Sequence, residues 1–202
     1  MKRFHTLILT SGLILTIIIS NSVGFIRDGR KLDELRESVL RLHILADSDS
    51  EEDQRLKLCV RDAILEHSGE LFAEADDLES AENAAFEAMP EIIDIAERTL
   101  RQQGCGLPVT ARLEDIEFDE RVYGNITMPA GTYRALRVEI GEAKGHNWWC
   151  VMYPPLCIPA AEDVENRDEE EYFDEKELDI IYRPKKYRIK FAVWDKIKKI
   201  LD

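Results

Sequence analysis

Cys150 and Cys157, taken with His43 or His146, are the side chains in this sequence whose types fit nucleophilic catalysis. A cysteine hydrolase needs a thiolate, an imidazole and an orienting carboxamide or carboxylate converging in one cleft. No local signature here forces that convergence, and Cys150 stands between bulky residues of an apolar run, an environment for a structural sulfur. Asp47, Asp49, Glu51 and Asp53 form the densest polar cluster and invite a calcium reading. That reading fails at two positions: Glu52 stands where an EF-hand needs its turn glycine, and Leu58 where it needs the bidentate glutamate. Capping of the helix that follows explains the cluster better. Gly141-Glu142-Ala143-Lys144-Gly145 has the look of a phosphate loop, yet no Lys-Ser or Lys-Thr follows and it leads into a strand. The sequence therefore predicts no catalytic residue, no metal ligand set and no cofactor.

The elements that position these groups read as α+β. Leu40, Leu42 and Ile44 alternate with Arg41 and His43, the period of a strand. The strand ends at Ala46-Asp47-Ser48-Asp49-Ser50, where Ser48 with Glu51 or Ser50 with Asp53 gives the spacing of a capping box. Leu56, Cys59, Val60, Ala63, Ile64 and His67 then recur at helical spacing, predicting a helix over Glu51 to His67 with one stripe on the core. A second helical region spans Ser80 to about Gln103, and Pro90 predicts two helices or a kink within it. Beyond Gly104 and Gly106, Val109, Ala111 and Leu113 alternate, and the phase then changes to Ile116 and Phe118, which suggests a bulge near Asp115. Leu136, Val138 and Ile140 form a strand with one apolar face. Gly141 to Asn147 reads as a hairpin loop into Trp148–Tyr153, a run apolar on both faces and so expected at the centre of a sheet. A small mixed sheet of about four strands with two to three packed helices is the expected fold.

The ends of the chain bound the compartment. Lys2 and Arg3 precede an apolar segment from Phe4 to Ile19, followed by the small residues Ser20, Ser22 and Gly24. Residues 1–26 thus read as a signal peptide or a membrane anchor, and export is expected either way. With 41 acidic against 27 basic residues the net charge is −14, which repels a phosphate backbone and argues against nucleic-acid binding. Cys150 and Cys157 flank Pro154-Pro155, a stiff reversal able to bring them together. A bridge there would stabilise the fold by about 2 to 3 kcal/mol; two buried thiols are the alternative. The exported domain is placed at 27–160. Residues 161–182 read as an acidic linker, since 11 acidic and 2 basic residues lie between Glu162 and Asp179. Residues 183–202 read as a basic amphipathic helix, with Ile189, Val193, Ile197, Ile200 and Leu201 as a stripe beside Phe191 and Trp194. Such a helix suits membrane proximity or packing on its own domain, and is expected to be separable from the core fold.

Three motifs carry more than periodicity does. Val39 to Gln54 (VLRLHILADSDSEEDQ), Tyr123 to Tyr133 (YGNITMPAGTY) and Gly145 to Cys157 (GHNWWCVMYPPLC) closely resemble the stage II sporulation protein R family of endospore-forming bacteria, over about residues 39 to 158. The resemblance implies a protein made in the forespore and exported into the space facing the mother cell. There it would trigger a membrane-embedded aspartic protease, the stage II sporulation protein GA, which processes the precursor of sigma factor E. The chain would be the ligand, not the protease. Asp47 stands where the family often has Asn. The motifs offer Arg41, His43, Asp47, Asp49, Asn147, Trp148 and Trp149 as partner-binding candidates, each with a structural role as the competing reading. The rival functions are an exported cysteine-dependent hydrolase and a cell-envelope structural protein.

Overall fold

A computed structural model describes residues 2–72, 74–123, 126–154 and 173–201. The elements in chain order are α1 (Lys2–Arg36), β1 (Leu40–Leu45), α2 (Glu51–Leu71), α3 (Leu78–Glu87), α4 (Met89–Gln102), β2 (Val109–Phe118), β3 (Arg121–Tyr123), β4 (Ile126–Met128), β5 (Gly131–Ile140), β6 (Asn147–Tyr153), α5 (Glu175–Tyr182) and α6 (Pro184–Leu201). The fold is α+β, as expected, with a four-stranded mixed sheet in the order β2-β5-β1-β6 and a small β3-β4 ribbon.

Helices α2, α3 and α5 start where the sequence supplies a side-chain cap. The Ser50 hydroxyl accepts from the Asp53 amide at 3.1 Å, and Glu51, Glu52 and Asp53 complement the positive end of α2. Asp77 with Ser80, and Asp174 with Glu177, close capping boxes on α3 and α5. Pro90 sits in the first turn of α4, where its missing N–H costs nothing, so the Ser80–Gln103 region divides into two helices.

The sheet is a wall between two cores. On its first face Leu40, Leu42 and Ile44 of β1, Leu136 and Val138 of β5 and Cys150 of β6 pack against Leu56, Val60, Ala81, Ile92 and Leu100 of α2, α3 and α4. On its second face Ala135, Tyr133, Phe118 and Val151 pack against Leu32 and Leu35 of α1, Ile180 and Ile181 of α5, and Tyr187 and Phe191 of α6. All six residues of β1 are consequently buried, Arg41 and His43 included.

This double burial corrects several expectations. The phase change in β2 is no bulge: the strand pairs with β5 without interruption from Val109↔Ile140 to Phe118↔Gly131. Val109, Ala111 and Leu113 face the first core, and Ile116 and Phe118, on the opposite face, serve the second. The register shift lies instead between Leu40 and Arg41, opposite β6. Trp148–Tyr153 is not central, and it forms no hairpin with β5. β1 intervenes, parallel to β5 and antiparallel to β6, so β6 borders the sheet with apolar residues on both faces because a core lies on each.

The acidic segment is not a linker throughout. Residues 173–182 contribute Phe173 and α5 to the second core, while 155–172, with most of the acidic charge and Cys157, lie outside the described residues. Helix α6 turns its aromatic side inward. Its aliphatic stripe, expected beside Phe191 and Trp194, points the other way, and through Tyr187 and Phe191 the helix packs into the second core. Asp28 of α1 pairs with Lys176 at 2.9 Å and Lys190 at 2.7 Å, Arg36 pairs with Asp195 at 2.8 Å, and Trp194 lies over Gly29. Residues 2–26 and the core thus share one helix, and the boundary at 26 falls inside it. Among the described residues no helix is long and apolar enough to cross a membrane; the side chains at 2–4, 6–10, 14, 17 and 18 are not among them.

Candidate functional site

Beyond β1 the chain meets the 141–146 loop in a clasp. The Asp47 carboxylate accepts from the Glu142 amide at 2.6 Å, and the backbone carbonyls of Ala46 and Asp47 accept from the amides of Gly145 and Lys144 at 2.9 and 3.1 Å. Asp49 accepts from both the amide and Nδ1 of His146, each at 2.5 Å, and these bonds hold its carboxyl below the ordinary carboxylate range. From α2 the buried Lys57 ammonium donates to the His146 carbonyl at 2.9 Å and to Gln54 at 2.6 Å; burial lowers its pKa. Two glycines permit the close approach. A Cβ at Gly141, whose φ is +58°, would lie 2.0 Å from Asp47 Oδ1, and one at Gly145 would lie 2.2 Å from the Ser48 carbonyl oxygen. The loop therefore has one shape and presents Glu142, Lys144, His146 and Asn147 to solvent. The carboxylates of Asp47 and Asp49 are engaged by N–H donors, and that of Asp53 by the hydroxyls of Ser48 and Ser50.

Arg41, His43 and Trp149 lie elsewhere, on the second face of the sheet. The Arg41 guanidinium is wholly buried, 3.9 Å from the Phe118 ring centre and 4.9 Å from that of Tyr133. Its Nη2 donates to the Tyr123 hydroxyl at 2.7 Å, which donates in turn to the Trp149 carbonyl at 3.3 Å. Nε and Nη1 of Arg41 have no hydrogen-bond partner among the described residues. The His43 ring stacks on Trp149 with centroids 3.9 Å apart and planes 9° from parallel, and neither ring nitrogen has a hydrogen-bond partner among the described residues. Burial, seconded by the charge of Arg137, pushes the His43 pKa down to about 4, so the ring is neutral at pH 7. Trp148 points to the first face, under the Arg61 guanidinium at 4.3 Å.

The seven candidates thus divide. Asp47 and Asp49 hold the clasp, which Asn147 adjoins at the start of β6; Arg41, His43 and Trp149 form an interior nest; Trp148 stands apart. Beside the nest is a cluster that the sequence reading missed. Arg112 bonds Glu139 at 2.5 Å and Glu114 at 3.1 Å, and Arg137 bonds Glu114 at 3.0 Å and Glu139 at 2.8 Å, a partly exposed ladder across β2 and β5. The alternation of these charges with Ala111, Leu113, Leu136 and Val138 marks the strand face; what the sequence lacks is a sign that β2 and β5 are neighbours.

Cys150 is disulfide-bonded, whereas Cys59 and Cys105 are free, half-buried thiols. Its expected partner, Cys157, lies outside the described residues.

Comparison with known proteins bears on both clasp and nest. The profile of the family described as stage II sporulation protein R matches residues 36–163. A curated relative, stage II sporulation protein R of Bacillus subtilis (strain 168), is 37% identical over 122 residues, 60% of this chain and 54% of the relative. The chain therefore spans about half the length of the relative it matches. No solved structure matches it. The clasp and the nest lie wholly inside the matched region; α5, α6 and most of α1 lie outside it.

Proposed function

This chain belongs to the stage II sporulation protein R family, which gives it a role in sporulation, and from that premise we propose that it is an exported signal from the forespore. Its target on this reading is the membrane-embedded aspartic protease of the mother cell, stage II sporulation protein GA, which then cleaves the sigma factor E precursor. The family match over residues 36–163 is the observation that carries the proposal.

Two structural features support a ligand over an exported hydrolase. Cys150 is engaged in a disulfide, so it offers no thiolate, and His43 is buried in a ring stack with no thiol or carboxylate among the described residues hydrogen-bonded to it. The contact surface we assign is the clasp: Asp49 and the loop residues Glu142, Lys144, His146 and Asn147. Because Asp47, Asp49 and Lys57 already hold that loop in one shape, docking it loses little conformational entropy. A ligand activates its receptor only as far as it prefers the active state, and a shift from 1% to 99% active takes about 5.5 kcal/mol of differential affinity, within reach of an ordinary interface. Export and a Cys150–Cys157 bridge belong to the same proposal.

Reconstitution tests it. Membranes carrying the protease and the sigma precursor are incubated with and without the full chain. Cleavage is expected only when all three components are present. Cleavage without the receptor would make the chain an enzyme, and no response to folded, oxidised protein would remove the signalling role.

A further inference from the structure

Helix α6 has two unlike faces. Tyr187, Phe191 and Trp194 are turned to α1 and the second core. On the other side Ile189 is 81% exposed, Val193 45%, Ile197 39% and Ile200 76%. At 3.6 residues per turn these four fall within an arc of about 80° and form one aliphatic stripe along the helix.

The charges around the stripe are sorted. Lys186, Arg188, Lys190 and Lys198 are paired with Asp179, Glu120, Asp28 and Asp33 at 2.7, 2.6, 2.7 and 3.2 Å. Lys185 and Lys196, both exposed, have no ion-pair partner among the described residues. By the same helical geometry they border the stripe within about 40° of its edge. An intramolecular helix gains nothing from exposed isoleucines flanked by unpaired ammonium groups. A lipid surface does, since the aliphatic row enters the acyl boundary while the lysines reach the anionic headgroups. A second copy of the chain is the poorer occupant, because facing stripes would bring the unpaired lysines together. The location agrees: α6 is docked on α1, the helix that carries the N-terminal apolar segment.

We propose that the outer face of α6 binds an anionic phospholipid surface. The aromatic residues of α6 are committed to the core, so the attachment rests on four aliphatic side chains and two cations. It is accordingly reversible and weakened by salt.

The test uses the full chain with Cys59→Ser and Cys105→Ser, carrying a nitroxide at Val193→Cys or, separately, at Lys199→Cys. Neither position is in the core. Vesicles of phosphatidylcholine with about one third phosphatidylglycerol are expected to cut collisions of the 193 label with a water-soluble nickel chelate about tenfold, and those of the 199 label less than about twofold. Lys185→Glu with Lys196→Glu is expected to abolish the effect. An unchanged 193 label, an equal effect with pure phosphatidylcholine, or a loss of collisions that grows with protein concentration in the absence of vesicles would each overturn the proposal. The last of these would make a second copy the occupant.

Discussion

Acidification should destabilise this protein well above the range in which its carboxylates titrate, through one side chain. The folded pKa of His43 is about 4, whereas an unfolded histidine titrates near 6.5. Between those values the unfolded chain binds the proton and the folded chain does not, so stability is full above pH 6.5 and falls as the pH drops towards 4. The linkage relation gives a loss of about 2 kcal/mol between pH 7 and pH 5, approaching ~3 kcal/mol at pH 4. The carboxyls of Asp49, Asp53, Glu114 and Glu139, all held below their ordinary values by their partners, add losses in the same direction, but at lower pH. The perturbation that isolates His43 is His43→Phe, which keeps a flat ring against Trp149 and removes the titration. Urea unfolding followed by fluorescence at pH 7 and pH 5 supplies the free energies. The wild type should lose about 2 kcal/mol more than the variant over that interval. Parallel losses, or an imidazole resonance titrating near pH 6.5 in the folded protein, would refute the burial argument.

Three further outcomes can be checked separately. Gly145→Ala places a methyl group against the Ser48 backbone, which cannot move aside like a side chain; it should cost about 1 to 3 kcal/mol in thermal unfolding and abolish activation of the protease. Truncation after Tyr182 strips Tyr187 and Phe191 from the second core and should lower the unfolding midpoint sharply, whereas an unchanged midpoint would mean that α6 is not part of it. Peptide mapping of alkylated, unreduced protein should recover Cys150 joined to Cys157, and reduction should cost about 2 to 3 kcal/mol of stability.

Local chemistry was legible in the sequence wherever one element decides the outcome. Ser50 and Asp53 announce the start of α2, Pro90 the break between α3 and α4, and Leu40, Leu42 and Ile44 a strand face. What was not legible depends on who lies beside whom. The sequential strands Gly131–Ile140 and Asn147–Tyr153 read as a hairpin because nothing in either reveals that β1, a hundred residues earlier in the chain, is inserted between them. The phase change at Ile116 mimics a bulge because a sequence does not say that a second core covers the opposite face. For the same reason Arg41 and His43 look like the polar side of a strand, when Phe118 and Trp149 enclose them. At the candidate site, the types of Asp47 and Asp49 were right, but their work of pinning the 141–146 loop requires a contact across nearly a hundred residues.

The unbroken course of α1 from the apolar segment into the second core sets an azimuth. Leu15, Ile19, Val23 and Ile26 form an exposed row on that helix, and the seating of Trp194 on Gly29 locks the rotation of the rest of the fold about the same axis. The direction in which the clasp faces, relative to whatever holds the apolar row, is therefore counted out in residues. One residue inserted between Gly24 and Asp28 would swing the domain by about 100°, while an insertion of seven would bring it back to within about 20° of its original heading.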